Sequence, residues 1–404
     1  MWASSRTALW PNEIAPLETR FNGRPSSRPQ LAQLYSKLLG SRCLIHVDTE
    51  ESRVVMEKAD RVAVVIVNYN GEAYLAECLA ALERQTFKQF SVLLLDNGST
   101  DGSVELIERG FPQIKVIRSP VNLGFAAGNN RVIEHILERK SAEYVFTLNN
   151  DVVLDKNCLE SLVDTMNSSS GDVWSCQPKM YFFDEGSGKK IFNNAGIVIW
   201  RDGSAFNRGI NHADIGQYDG ETDIFGTCAG ASLYRRSALE RTGLFDEDFF
   251  AYMEDVDIAW RGRLAGYRSL LCPEAMCRHR HGASGGNPAR KISLVERNRM
   301  CVLAKNYPTR DIAVSPLFTL YRFASLVVAG LTSRGGGRRL ESYRENLSTA
   351  SLLLAVIRGT VQGLMRIPAC VRKRRRFKNE ICNDTDARNM LRRYVTRLSD
   401  AINS

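Results

Sequence analysis

Val62-Ala63-Val64-Val65-Ile66-Val67-Asn68-Tyr69-Asn70-Gly71 is the stretch that decides the fold. Its unbroken apolar run, mostly β-branched, suits a strand covered on both faces, as in a parallel sheet. Asn68 to Gly71 then reads as a turn. The segment Tyr74 to Arg84 follows with Leu75, Cys78, Leu79 and Leu82 at helical spacing. The same unit recurs downstream. Strands are predicted over Phe90 to Leu95, Ile114 to Arg118 and Tyr144 to Leu148, with helices over Ser103 to Arg109 and Ala126 to Arg139 between them. Strands alternating with helices of this length imply right-handed crossovers, hence an α/β chain with a Rossmann-like, mostly parallel sheet flanked by helices.

Ligands of such sheets bind outside the carboxyl ends of the strands. Asn68, Asp96, Asn122, Asn149 and Asp151 all fall at those ends. Any one of them is an ordinary turn former; their recurrence at successive strand ends points to a site. Asp96 is suited to a nucleotide's base or ribose. Neither G-x-x-x-x-G-K-[ST] nor G-x-G-x-x-G follows the first strand, so phosphate charge is left to a hard cation. Asn149 and Asp151 offer oxygens to Mg²⁺ or Mn²⁺. Further on, Phe225 to Tyr234 is rich in small residues, a sign of close approach by a ligand or another backbone. Glu254 and Asp255 open a predicted helix ending near Leu264, where the helix dipole favours carboxylates whether or not they react. Asp257 lies four before Arg261 and is expected to form a surface pair with it. Asp255 and Asp257 cannot share a helix face, so one is free to serve the site while the other stabilises the helix.

Composition frames these motifs. With 404 residues, 44% of them hydrophobic, the chain can hold one large α/β domain and a smaller module. Residues 1–60 contain Pro11, Pro16, Pro25 and Pro29 without sustained periodicity, and read as an irregular extension with at most a short helix around Gln30 to Leu39. Residues 61–309 form the main domain, and 310–404 a basic, mainly helical module. The net charge of +9 gathers in this last quarter, in Arg338, Arg339, Arg344, Arg358, Arg366 and the run Arg372 to Arg376. Such a run fits a solvated tail or an anionic membrane surface. Nucleic acid is not expected, because no stacking aromatics interleave with the cations. Met1 to Glu18 lacks the apolar core of a cleaved signal. Leu317 to Leu331, interrupted by Arg322, and Leu347 to Ile357 fall short of the roughly 20 apolar residues that cross a bilayer. The ten cysteines are scattered singly, which suits a reducing, cytosolic compartment. Cys272, Cys277, His279 and His281 are potential zinc ligands, but their spacing matches no common arrangement and Pro273 with Glu274 interrupts it.

Taken together, these blocks resemble glycosyltransferase family 2 enzymes of GT-A fold, in particular bacterial rhamnosyltransferase-like members. The resemblance is carried in family order by Val65 to Asn70, Asp96 to Asp101, Asn122 to Asn129, Leu148 to Asp151, Gly243 to Asp246, Tyr252 to Asp257 and Arg297-Asn298. It implies an inverting transfer of rhamnose or another hexose from a nucleotide diphosphate to a hydroxyl of a glycan or lipid-linked acceptor, in cell-surface polysaccharide synthesis. It implies nucleotide contacts from Asn68, Tyr69, Asp96, Asn122, Gly124, Phe125, Gly128, Asn129, Asn149 and Asn150, and a metal held by Asp151 with His279 close by. Asp255, accompanied by Glu254, matches the general base, and Gly230, Trp260, His281 and Arg297 fall in the acceptor or phosphate region. Asn149 departs from the family's D-x-D at its first position. The processive members' paired spanning helices have no counterpart here, which favours a cytoplasmic enzyme peripheral to the membrane. A sugar nucleotidyltransferase would use a similar sheet, but usually with a basic loop after the first strand, and Asn68 to Glu72 carries no Lys or Arg. A degenerate, non-catalytic sugar-nucleotide binder is the other class; retention of Asp151, Asp255 and His279 speaks against it.

Overall fold

The computed structural model describes residues 60–183, 188–280, 287–331, 348–380 and 384–398. The helix expected at Gln30 to Leu39, and His281, lie outside the described residues.

The predicted alternation is present. Strands β1 (Val62–Asn68), β2 (Phe90–Asp96), β3 (Lys115–Arg118) and β4 (Tyr144–Asn149) alternate with helices α1 (Glu72–Glu83), α2 (Ser103–Gly110) and α3 (Gly124–Arg139). Side chains on a strand alternate between faces. Val62, Val64 and Ile66 therefore pack with Leu75, Cys78 and Leu79 of α1, while Ala63 and Val65 pack with Val132, Ile133 and Ile136 of α3 on the other side. Cover on both faces explains the apolar run of β1.

Beyond β4 come β5 (Val152–Leu154), α4 (Cys158–Ser168), β6 (Val173–Phe182), β7 (Phe192–Asn194), β8 (Ile197–Ile199), β9 (Ala205–Asn207), β10 (Asp223–Ile224), β11 (Ala231–Arg235), α5 (Arg236–Thr242), α6 (Glu254–Leu264), β12 (Arg268–His279) and α7 (Pro288–Asn306). Among the described residues the main sheet has ten strands, with the path β10-β12-β6-β11-β4-β1-β2-β3 and with β5 on β12 and β7 on β6. It is parallel from β4 to β3, but β11 enters antiparallel to both β4 and β6, so the whole sheet is mixed. Strand β12 runs straight through the Cys272 to Cys277 segment. The interruption expected at Pro273 and Glu274 is absorbed as a register shift between Cys272 and Met276 against β6, a bulge that lets the strand continue to His279.

Among the described residues, helices α8 (Thr309–Leu331), α9 (Thr349–Glu380) and α10 (Asp384–Tyr394) follow. The described residues belong to one compact unit, because Cys370, Ala387 and Leu391 enter the same core as Trp260, Cys301 and Tyr307. Two expectations change here. Helix α9 runs unbroken past Ile357, and its segment Thr349–Phe377, 29 residues, is long and apolar enough by length and composition to cross a membrane. The basic run is also only partly a surface feature: Lys373 pairs with Asp246 and Asp248 at 2.5 and 2.7 Å, and Arg374, 9% exposed, pairs with Asp384 at 3.0 Å.

Candidate functional site

The register of the sheet gathers the predicted polar residues. Asn68 is directly opposite Asp96, and Asn149 opposite Val67, so the ends of β1, β2 and β4 form one edge. Asn68 is fully buried; its Oδ1 accepts from Asn150 Nδ2 at 2.7 Å and its Nδ2 donates to Ser99 Oγ at 3.2 Å. Tyr69, 46% exposed, stands at the open end of β1. The loop before α3 is shaped by Asn97, whose Oδ1 accepts from Leu123 N at 2.8 Å and whose Nδ2 donates to Asn122 Oδ1 at 3.2 Å. Gly124 has φ +82, and a Cβ there would run into Phe250, so glycine is required on both counts. Phe125 meets Phe245 edge to face at 6.1 Å.

Gly128 and Asn129 belong to the packing of α3. Gly128 lies against Val67 and Leu95, and Asn129, 1% exposed, donates to Phe125 O within its own helix at 2.9 Å. Trp260 is likewise core, with ring centroids 5.2 Å from Phe225 and 4.9 Å from Tyr307. Sequence periodicity gives no warning of this, since ten of the eleven residues of α6 are buried and its inner and outer faces are not distinguished by polarity.

Asp151 sits between β4 and β5, and β5 pairs antiparallel with the end of β12, placing His279 opposite Val152. His279 Nε2 is thereby 3.3 Å from Asp151 Oδ1. On its other side, His279 Nδ1 is 3.0 Å from Asn193 Oδ1. Asp151 is 4% exposed and its Oδ1 has no hydrogen-bond donor. A buried carboxylate oxygen without a hydrogen-bond partner, with an imidazole nitrogen 3.3 Å away, is a donor set that fits a cation. Asn193 was not legible in the sequence, since nothing in Phe192-Asn193-Asn194 marks it as the neighbour of a residue 86 positions away.

The small-residue segment brings the second half of the site to this edge. Asn149 N donates to Gly230 O at 2.9 Å as β11 begins beside β4. The thiol of Cys228, just before, is pushed up to about 12 by burial and by the nearby charges of Asp255, Glu254 and Asp151. One thiol thus senses the carboxylates of both halves.

Glu254 and Asp255 open α6 after an unusual approach. Phe250, Tyr252 and Met253 all have left-handed φ values of 63, 69 and 71°, each costing about 1–3 kcal/mol for a non-glycine residue. Asn298, fully buried on α7, holds this loop by donating to the carbonyls of Phe249, Ala251 and Tyr252 at 3.0, 2.9 and 2.7 Å. Arg297 adds a bond to Phe249 O at 2.7 Å. Arg297 is therefore a loop clamp in this structure, and its neighbour Asn298 makes more of the contacts. Asn298→Ala is expected to cost about 2–4 kcal/mol in urea denaturation and to lower turnover, because the loop sets where Asp255 stands. An unchanged denaturation midpoint would show that the strained loop does not depend on this amide.

The two acids at the helix start differ. Glu254 is 6% exposed with Oε2 unpartnered, and burial together with the charge of Asp255 holds its carboxyl well above the usual range. Asp255 is raised to about 6 by burial, a rise limited by hydrogen bonds from the amides of Val256 and Ala229. With its carboxyl at about 6, Asp255 is an ionised, unusually basic carboxylate at neutral pH, while Glu254 beside it is held the more strongly toward its protonated form. Asp257 points the other way. Its pair with Arg261 exists, at 3.1 Å, but it is buried rather than on the surface, and Lys305 joins it at 2.7 Å.

Residues 63–243 match the glycosyl transferase family 2 model. The chain carries a domain of that family and is a glycosyltransferase, with a rhamnosyltransferase among its relatives. The N-acetylglucosaminyl-diphospho-decaprenol L-rhamnosyltransferase of Mycobacterium tuberculosis (strain CDC 1551 / Oshkosh) is 26% identical over 272 residues, covering 61% of this chain and 85% of the relative. Glycosyltransferase GlyG of Streptococcus pneumoniae serotype 4 is 27% identical over 33% of this chain and 44% of its own. Among solved structures, GalNAc-T7 with UDP, GalNAc and Mn²⁺ aligns with a TM-score of 0.48 at 15% identity, covering 82% of this chain and 57% of that one. S. aureus TarS 1-349 aligns at 0.45 and 16% identity, covering 79% and 90%.

Proposed function

We propose that this glycosyltransferase inverts configuration, moving rhamnose or another hexose from a nucleotide diphosphate to a hydroxyl of a glycan or lipid-linked acceptor at the cytoplasmic face of a membrane, in cell-surface polysaccharide synthesis. The observation that carries the reading is the meeting of the two halves at Ala229-Gly230: Asn149, two residues before the orphaned acceptor at Asp151, donates its N–H to Gly230 O at 2.9 Å, and the Ala229 amide donates to the basic carboxylate of Asp255. The donor's nucleotide would lie along Asn68, Tyr69, Asp96 and Asn122, with its diphosphate toward Asn149, Asn150 and Asp151. Asp255 takes the proton of the acceptor hydroxyl as that oxygen bonds to the anomeric carbon; the bond from that carbon to the phosphate oxygen breaks, and the diphosphate leaves with its electron pair. Asp151 and His279 would hold Mg²⁺ or Mn²⁺, which offsets the charge of the leaving diphosphate. The mycobacterial relative, by its name, transfers L-rhamnose to a diphospho-decaprenol-linked acceptor, which supports rhamnose and a lipid-linked acceptor as the first pair to try.

A nucleotide-sugar panel, read by release of free nucleotide diphosphate, tests the reading. In calorimetry, Asp151→Ala is expected to weaken binding of the active donor about 10- to 100-fold with Mg²⁺ or Mn²⁺ present, and chelator to weaken the wild type comparably. Equal affinity in the variant, in chelator and in the metal-loaded wild type would refute the metal assignment.

A further inference from the structure

Helix α9 has two unlike faces. Ala355, Gly359, Gly363, Cys370 and Arg374 form a buried line against the domain. The close approach to α7 depends on the glycines: a Cβ at Gly359 would be 2.5 Å from Ser293 O, and one at Gly363 2.8 Å from Met300 Sδ. The opposite face presents Leu353, Leu354, Ile357, Val361, Leu364 and Met365, 49 to 77% exposed. Their spacing makes one continuous apolar stripe, and a contiguous exposed stripe of large apolar side chains marks an interaction surface. Helix α8 repeats the pattern with Leu317, Leu320 and Tyr321, 57 to 70% exposed. Both helices flank α7 at Glu296: Arg322 of α8 lies 3.4 Å from its carboxylate, and a Cβ at Gly359 would be 2.9 Å from its Cβ.

The charges on this surface select the partner. Arg358 lies within the stripe, and Arg372, Arg375 and Arg376 are exposed at its C-terminal end. A second copy of the chain would bring these cations against their own kind. A leaflet of anionic lipid offers both hydrocarbon for the stripe and headgroup charge for the arginines. Length alone would let Thr349–Phe377 span the bilayer, but a spanning pose would strip the glycine face from α7, break the ion pairs of Lys373 and Arg374, and carry Arg358 and Arg366 into hydrocarbon.

The geometry points to α8 and α9 as an in-plane platform, the stripe of α9 seated at the acyl boundary of an anionic leaflet with the domain docked above it. This deepens the transferase reading and rests on it, since a platform of this kind holds the strand-end site beside a lipid-linked acceptor. The full chain is expected to co-sediment with vesicles enriched in phosphatidylglycerol, and far less with pure phosphatidylcholine. Leu353→Gln/Leu354→Gln/Ile357→Gln should lower vesicle binding about tenfold or more, and Arg372→Gln/Arg375→Gln should abolish the preference for anionic lipid while salt weakens the wild type. All these side chains are exposed, so near-wild-type melting is the control for folding. A chain that stays in the supernatant with anionic vesicles, or a triple variant that binds as well as wild type, overturns the platform. So does a lipid-free dimer that the triple variant dissociates, which would make the stripe a contact between copies. Calorimetry of nucleotide diphosphate on the same samples separates the two readings: donor binding without vesicle binding sinks the platform alone, and vesicle binding without donor binding sinks the transferase reading.

Discussion

Asp255→Asn is expected to reduce turnover by about 10² to 10⁴-fold, the usual contribution of a positioned general base, while donor affinity and the fold are retained. The same change should raise thermal stability. Burial lifts the Asp255 carboxyl to about 6, so between its ordinary value and pH 6 the folded protein binds more protons than the unfolded chain, and stability falls as pH rises through that window. At neutral pH the ionised group therefore destabilises the fold by about 1–3 kcal/mol, since each tenfold change in proton affinity is worth about 1.4 kcal/mol, and the neutral amide removes that burden. The wild-type rate should correspondingly decline below about pH 6 as the base gains a proton, a limb absent from the residual activity of the variant. Stopped assays across pH, with scanning calorimetry of both proteins, check the three effects together. An unaltered rate in Asp255→Asn would move the base elsewhere; Glu254 is a poor substitute, because burial beside Asp255 favours its protonated form.

How much of this was legible in the sequence depends on whether a feature is local. The strand of Val62 to Val67 announces itself, since burial on both faces demands an unbroken apolar run, and Asn68, Asp96 and Asn149 come together once parallel pairing is granted. The antiparallel entry of β11 was not legible, because a short buried strand carries no mark of its direction. Nor were Asn193 and the clamping role of Asn298. Each acts on a partner remote in sequence, His279 for the first and the carbonyls of Phe249 to Tyr252 for the second, and an asparagine that clamps a distant backbone looks like any turn former. The same holds for Lys373 and Arg374. A run of basic residues reads as solvated until the fold supplies Asp246 and Asp384 as partners. The apolar stretch of α9 was read only as Leu347 to Ile357, although the helix continues through Arg358 and Arg366, of which the first lies in the exposed stripe and the second reaches Asp248 at 3.5 Å beside the domain.

Asp257→Asn should have the opposite signature to Asp255→Asn. Asp257 is wholly buried and accepts from Arg261 Nε at 3.1 Å and Asn306 Nδ2 at 2.9 Å, with Lys305 Nζ 2.7 Å away. Lys305 also meets Asp246 at 2.5 Å, and Asp246 meets Lys373 of α9, so one carboxylate anchors a chain of charges linking α6, α7, the Gly243 to Asp246 turn and the C-terminal helices. Burial alone would raise the carboxyl; Lys305 and Arg261 outweigh it and hold Asp257 below its ordinary value. Its stabilising contribution is therefore present at neutral pH and is lost as pH falls through the depressed value. Replacing the carboxylate by an amide leaves Arg261 and Lys305 buried with one counter-charge fewer, a loss of about 3–5 kcal/mol in urea denaturation. Turnover per folded molecule should stay within about tenfold of wild type, because the side chain points away from Asp255 into the core between α6 and α7. Adding Lys305→Met should recover part of the stability, since the unpaired cation is then removed as well. If instead Asp257→Asn folded normally and lost its activity, the two carboxylates would have to exchange roles.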